Sequence, residues 1–227
     1  GVQTCALPIS RASNAVVVDP EVDLTLLGPL GCGIQTGSGT VLNRLKPVVG
    51  ESLVVFGCGA VGLSAIMAAK LTGCSQIIAV DIHASRLALA RELGATHQIN
   101  GKEQDAVAVI KQITGKGAHY AVETTGVSAI VLQAVHAVKP LGTVAIVGFT
   151  GDITLNVQND LMAEGKSLVG VIEGDAVPAL FIPLLVQLYK QGKFPIDKLI
   201  ARYPLADINQ AFADSASGKV IKPVVVM

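Results

Sequence analysis

The sequence contains no tryptophan, and only 4% of its residues are aromatic. It also lacks a charge of either sign in excess: 17 basic residues balance 17 acidic ones, and no basic block interrupts the chain. Nucleic acid and anionic membrane surfaces are therefore excluded as natural partners. No apolar run reaches the length of a membrane span, and no signal peptide is visible. Cysteine is scarce and unpaired. Cys5, Cys32, Cys58 and Cys74 form no CxxC, so the expectation is a reduced, cytoplasmic protein. Half of the 227 residues are hydrophobic, dominated by valine, isoleucine, alanine and glycine. That composition suits a parallel sheet covered by helices on both faces. The length allows one large domain, or one domain plus part of another.

The most informative stretch runs from Ser52 to Asp81. A buried-strand run, Ser52-Leu-Val-Val-Phe56, leads into Gly57-Cys58-Gly59-Ala60-Val61-Gly62. An apolar helical run follows to Leu71, then Gln76-Ile-Ile-Ala-Val-Asp81. Strand, glycine turn, helix and acid-ended strand are the parts of a dinucleotide-binding unit. Gly57 permits the tight turn, Gly59 lets backbone approach a pyrophosphate, and Gly62 lets the helix pack close to the strand. The helix beginning near Ala60 turns free N–H groups and its positive end toward the phosphates. Asp81 can accept hydrogen bonds from ribose hydroxyls and would repel a 2′-phosphate, which predicts NAD rather than NADP.

From Ser52 onward strand and helix alternate. Strands are predicted at 52–56, 76–81, 97–99, 118–123 and 142–147, and helices at 60–71, 84–92, 103–113 and 127–137. This rhythm predicts an α/β fold with a doubly wound parallel sheet, the ligand crevice lying outside the carboxyl ends of its strands. After Gly148 the rhythm changes. Strand-like runs at 153–157 and 167–173 precede a helix at 178–190, a strand near 198–203, a helix at 205–216 and a last strand at 220–227. These pieces read as a return into a second domain, of which there is too little to bury a core of its own.

The amino-terminal end reads differently. Gly1-Val-Gln-Thr-Cys5-Ala-Leu-Pro-Ile9 matches the in-frame translation of a common DNA-sequencing adapter, so residues 1–9 are expected not to be native and Cys5 is set aside. Ala15–Val18 reads as a short strand. The glycines of Leu26–Gly39 suggest close backbone packing near a ligand, and a helix is predicted from there to about Leu45, ending at Pro47.

Leu27-Gly-Pro-Leu-Gly-Cys32-Gly-Ile-Gln-Thr36-Gly-Ser-Gly39 resembles the zinc-dependent medium-chain alcohol dehydrogenases, and especially their aryl-alcohol (benzyl alcohol) branch. The likeness runs on through Val55–Ser64, Ile78–Ile82, Leu93–His97, Val122–Gly126, Val171–Asp175, Gly192–Pro195 and Gly218–Pro223, covering roughly Ser10 to Met227. The cysteine of the Gly31-Cys32-Gly33 turn discriminates: relatives acting on polyols or threonine tend to carry an acid there. The resemblance implies the following organisation. Residues 10–33 would end a GroES-like catalytic domain that is incomplete here, 34–171 would form the NAD-binding Rossmann domain, and 172–227 would return to the catalytic domain. In that family two cysteines, one histidine and a water or substrate hold the catalytic zinc. Cys32 matches the last protein ligand. The others would lie in upstream sequence, on the order of 100–150 residues, outside this chain.

The resemblance also implies an activity, oxidation of a primary, aromatic or allylic alcohol to the aldehyde by zinc-assisted hydride transfer to NAD. Thr36 and Val61 would line one face of the nicotinamide. Val147, Val171 and Glu173 would supply backbone partners for its carboxamide. Arg86 would flank the adenosine ribose, Thr124 and Thr125 would border the adenine, and Lys222 would reach the pyrophosphate. A homo-oligomer, dimer or tetramer, is implied, with pairing through the sheet-edge segments 153–157 and 167–173. Two other readings share the cofactor motif: a free-standing NAD-binding module without catalysis, and a zinc-free medium-chain reductase.

Plainer readings compete at single residues. A lone intracellular cysteine such as Cys32 is commonly a small buried thiol. Cys58 and Cys74 read as structural, His83 as solvated, and His97 and His136 as satisfying local hydrogen bonds. Arg86 could be only a surface charge on a helix. Tyr189 and Lys193 have the YxxxK spacing of short-chain dehydrogenases, but Gly192 and Pro195 mark a helix end there. Gly165-Lys166-Ser167 resembles the tail of a phosphate loop, yet Asp160 stands where its first glycine is required.

Overall fold

The computed structural model describes residues 15–227; the adapter-like segment and Cys5 lie outside them. A short helix α1 (Leu24–Leu27) and a helix α2 (Gly33–Gly39) lead into a π-helical turn, Thr40–Leu45. Then come β1 (Ser52–Phe56), α3 (Ala60–Leu71), β2 (Gln76–Asp81), α4 (Ala84–Leu93), β3 (His97–Asn100), α5 (Ala106–Thr114), β4 (Ala118–Glu123), α6 (Ser128–Ala137), β5 (Val138–Ile146) and β6 (Ser167–Gly170). The chain closes with α7 (Pro178–Lys190), β7 (Ile200–Pro204), α8 (Ile208–Ala216) and β8 (Lys222–Val226).

The first six strands form one sheet in the order β3-β2-β1-β4-β5-β6, every pair parallel. The order reverses direction between β1 and β4, which is the doubly wound arrangement. Alternation along β1 shows why helices cover both faces. Leu53 and Val55 point into a core shared with Leu63 and Ile66 of α3, Ile34 of α2 and Leu185 of α7. Val54 and Phe56 point into a second core with Ile110 of α5 and Val135 of α6. All five β1 residues are buried. Each large apolar side chain removed from water in this way contributes roughly 1.5–3 kcal/mol.

Departures from the sequence reading are local. Ala15–Val18 forms no strand; Val16 and Val18 pack against the core, and Val17 and Val18 line a cleft beside α7. Segment 153–157 forms none either. Asn156 Oδ1 accepts the Asn159 N–H at 3.0 Å while Asp160 Oδ2 accepts the Asn156 N–H at 2.8 Å, and this paired capping winds Val157–Leu161 into a π-helical turn. The run 167–173 pairs as a strand only to Gly170; Ile172 is still extended, and Glu173 then turns into the left-handed region with φ 51°. The helix predicted to follow Gly39 begins at Gly33 instead. Its glycines meet protein: a Cβ on Gly37 would lie 1.9 Å from the Val61 carbonyl oxygen, and one on Gly39 2.5 Å from that of Gly174. β5 starts four residues early, at Val138, which pairs with Ala118 before a register shift aligns Thr143 with Tyr120. α5 starts three late, where Asp105 Oδ1 accepts the Ala108 N–H at 3.1 Å. Residues 205–207 form a 3-10 turn ahead of α8.

The carboxyl-terminal pieces make a separate two-stranded parallel sheet of β7 and β8. Neither strand has a fully buried residue. Asp214 holds the unit together by accepting from Tyr203 Oη at 2.7 Å, Gln210 Nε2 at 2.8 Å and Lys219 Nζ at 3.0 Å.

Candidate functional site

The carboxyl ends of β1, β2, β4 and β5 converge on the glycine turn, and each turn glycine has a distinct physical reason. Gly57 has φ 92°, and a Cβ there would sit 2.6 Å from Thr124 Oγ1. Gly62 packs so tightly that a Cβ would lie 1.8 Å from the Gly57 carbonyl oxygen. Gly59 is the opposite case, with nothing within 4 Å of the position a Cβ would take. It precedes α3, and no side chain caps that helix. Among the described residues the N–H groups of Ala60 and Val61 find no protein acceptor. An open cradle edged by unpaired donors at a helix start fits a pyrophosphate.

Asp81 ends β2 and is 7% exposed. Its Oδ2 accepts the Cys58 N–H at 2.6 Å, and its Oδ1 accepts the N–H groups of Ile82 at 2.7 Å and His83 at 2.9 Å. A carboxylate has about four acceptor positions, so roughly one remains for a ribose hydroxyl. Burial, followed by the Asp81 charge, pushes the neighbouring Cys58 thiol well above its ordinary range; the Arg86 guanidinium works the other way. Cys58 is fully buried, a small side chain filling the turn.

Arg86 lies against the carboxyl-terminal segment, since a Cβ on Gly218 would come within 3.1 Å of its Nη2. Its Nε is buried without a hydrogen-bond partner. Lys222 stands on β8, half-buried. Thr124 donates to the carbonyl oxygens of Phe56 at 2.9 Å and Gly57 at 3.1 Å, fixing the turn from the β4 side.

Glu123 is a residue that sequence reasoning passed over. Its side chain is fully buried, yet it meets no basic group among the described residues. Its Oε1 accepts the N–H groups of Thr125 at 2.7 Å and Gly126 at 3.2 Å and the Thr125 hydroxyl. Its backbone carbonyl accepts the N–H of Val147 at 2.9 Å and of Gly148 at 3.0 Å. One acid thus pins the loops after β4 and β5. The signal was there, in an acid three residues before a glycine at a strand end.

The far half of the cleft is apolar. A cavity of about 380 Å³ is lined by Val147, Phe149, Ile153, Val171 and Ile172 at the ends of β5 and β6. Beyond it Glu173, Gly174 and Asp175 have φ of 51°, 69° and 48°. A non-glycine residue in that region costs of order 1–3 kcal/mol and persists only when its surroundings hold it. Thr36 Oγ1 donates to the Cys32 carbonyl oxygen at 2.8 Å and lies 3.4 Å from Glu173 Oε2. The structure therefore brings Thr36, Val61 and Glu173 around α2, with the Val61 side chain 3.5 Å from where a Gly33 Cβ would be.

Cys32 is an exposed free thiol. Among the described residues no group of three or more His, Cys, Asp or Glu side chains could hold a metal ion. These residues by themselves do not fit a zinc ion; they contribute one thiol.

A parallel doubly wound sheet with an open glycine cradle and a buried acid at the next strand end defines a Rossmann-type dinucleotide-binding protein. The chain belongs to the zinc-binding dehydrogenase family, whose model matches residues 60–190, and its likeness lies with the medium-chain alcohol dehydrogenases. It is 52% identical to the benzyl alcohol dehydrogenase of Acinetobacter calcoaceticus, with a TM-score of 0.92 over 95% of this chain and 60% of that one. It is 42% identical to the geraniol dehydrogenase of Castellaniella defragrans, over 96% of this chain and 59% of the relative. Pea (Pisum sativum) alcohol dehydrogenase 1 is 33% identical, over 96% of this chain and 59% of the relative. The chain thus spans about three fifths of the proteins it matches. None of the helices among the described residues is long and apolar enough to cross a membrane.

Proposed function

We propose that this chain is the cofactor-binding part of an NAD-dependent, zinc-type alcohol dehydrogenase that oxidises primary aromatic or allylic alcohols. The observation that carries the reading is the pairing of the open cradle at Gly59 with the buried carboxylate of Asp81. The benzyl alcohol and geraniol dehydrogenases it resembles support the substrate class. Gly57, Gly59, Ala60, Val61 and Gly62 would hold the pyrophosphate. Asp81, with Arg86 beside it, would take the adenosine ribose. Thr124 and Thr125 would border the adenine side, and Lys222 would reach the pyrophosphate. Thr36, Val61, Val147, Val171 and Glu173 would surround the nicotinamide. The bound cofactor would accept the hydride. The chain's own residues would orient the ring against the apolar lining of Val147, Val171 and Ile172.

On this reading residues 10–33 and 172–227 belong to a catalytic domain completed by upstream sequence, and 34–171 to the Rossmann domain. Cys32 would be one zinc ligand of that complete protein, the others coming from upstream. The location would be cytoplasmic. The edge strand β6, paired on one side only among the described residues, supports a homo-oligomer joined through that edge. The 227-residue chain alone is expected to bind NAD(H) without turning over benzyl alcohol. A long sequencing read of the source DNA across Ser10 tests the domain assignment, with upstream Cys and His codons in frame as the expected result. A start codon at or near residue 1 would leave a cofactor-binding module instead. Turnover of benzyl alcohol by the purified chain would refute the division of labour.

A further inference from the structure

A dinucleotide lies across the strand ends of such a sheet with its two halves on either side of the switch point. Asp81, at the end of β2, marks the adenosine half. The redox-active half therefore falls over β4, β5 and β6, where the apolar cavity lies. The residues that follow β6 are Val171, Ile172 and Glu173.

Glu173 is placed there rigidly. The turn it opens is pressed onto α2: a Cβ on Gly174 would lie 2.4 Å from the Gln35 carbonyl oxygen. Asn43 Nδ2 donates to the Gly174 carbonyl oxygen at 3.0 Å. The carboxylate is held as well. Gln35, only 2% exposed, donates from Nε2 to Glu173 Oε2 at 2.9 Å and to the Gly31 carbonyl oxygen at 3.0 Å. Flipping that amide would turn its oxygen onto two acceptors, so its orientation is dictated by its neighbours. The consequence is that Gln35 Oε1 is buried with no donor. Leaving a buried acceptor unmet is costly, and here the cost accompanies the anchoring of one carboxylate. Among the described residues no lysine, arginine or histidine forms an ion pair with Glu173. Glu173 is exposed, and its negative charge stands beside Thr36, whose Oγ1 lies 3.4 Å from its Oε2.

A nicotinamide ring is positively charged when oxidised and neutral when reduced. We propose that Glu173, anchored by Gln35, sets the preference of this site between the two oxidation states, its carboxylate favouring the charged ring of NAD⁺ over the neutral ring of NADH. The inference rests on the cofactor reading above and adds to it a residue that discriminates by charge. Apolar lining alone would favour the neutral ring, because burying the charged one costs desolvation.

The test is to measure the dissociation constants of NAD⁺, NADH and ADP-ribose for the chain and for Glu173→Gln and Glu173→Lys, at low and at high salt. ADP-ribose lacks the ring and reports the remainder of the site, including whether each variant is folded. Glu173→Gln should weaken NAD⁺ relative to NADH by about threefold to tenfold, the size of one charge acting across a partly hydrated cleft. Glu173→Lys should move the ratio further the same way, ADP-ribose should bind all three proteins alike, and salt should narrow the differences. A merely structural Glu173 would weaken both coenzymes together. An unchanged NAD⁺ to NADH ratio with intact ADP-ribose binding overturns the proposal alone. Absence of ADP-ribose binding by the unaltered chain overturns the cofactor reading and this proposal with it.

Discussion

The carboxylate of Asp81 accepts the backbone N–H of Cys58 at 2.6 Å, tying the end of β2 to the middle of the glycine turn. The residue that would select the cofactor also shapes the loop that would hold its phosphates. On the proposed reading, selection and architecture would be coupled in one side chain.

That coupling predicts a double effect for Asp81→Ala. NAD⁺ affinity should fall and discrimination against NADP⁺ should relax, because the acceptor of the ribose hydroxyl and the repelling charge are both gone. Stability should also fall, by about 1–3 kcal/mol, because the buried Cys58 N–H loses its acceptor. Calorimetric titration with both cofactors and urea unfolding read the two effects. Unchanged affinity for both cofactors refutes the ribose assignment.

The turn glycines predict opposite outcomes for the same substitution. Gly62→Ala puts a methyl 1.8 Å from the Gly57 carbonyl oxygen. It should destabilise the chain by about 1–3 kcal/mol or more, as overpacking against backbone does. Gly59→Ala meets open space within the protein and should leave the unfolding midpoint nearly unchanged while weakening NADH binding. Thermal unfolding beside NADH fluorescence titration separates them. Equal NADH affinity in Gly59→Ala and the unaltered chain would contradict the cradle.

A pH prediction comes from the amino-terminal ends of the central strands β1 and β4. His119 Nδ1 accepts the Ser52 N–H at 3.1 Å and faces the Ser52 hydroxyl at 2.8 Å. Burial, then the Lys139 charge, holds its pKa below the ordinary value of about 6.5. A histidine depressed in the folded state favours folding while neutral. Its contribution is fully present above the unfolded value and is lost as pH falls through the lower folded one. Melting temperature should therefore decline as pH falls below the unfolded value of about 6.5. His119→Asn, which keeps an acceptor but does not titrate, should flatten that decline. An identical pH profile in the variant would remove His119 from the account.

The central part of the chain was legible because local and global signals agree there. Strands 52–56, 76–81 and 118–123 and helices 60–71 and 178–190 fall where periodicity placed them. β1 is buried on both faces, so hydrophobicity alone marks it. The turn glycines were readable because each must lack a side chain for a separate reason. Legibility failed where side chains decide. Ile153-Thr-Leu-Asn-Val157 alternates like a strand, but Asn156 and Asp160 cap a turn instead. Ala15–Val18 has strand propensity and no strand to pair with among the described residues. The glycines before Thr40 promised close approach, and Gly37 and Gly39 delivered it, against α3 and Gly174. The Gln35–Glu173 contact spans 138 residues and is invisible to any local pattern.

The most direct test of the central claim is a calorimetric titration of the purified 227-residue chain with NADH and, separately, NADPH. The expected result is saturable binding of NADH at one site, with NADPH at least about tenfold weaker because its 2′-phosphate would meet Asp81. No NADH binding, or equal binding of the two, would contradict it.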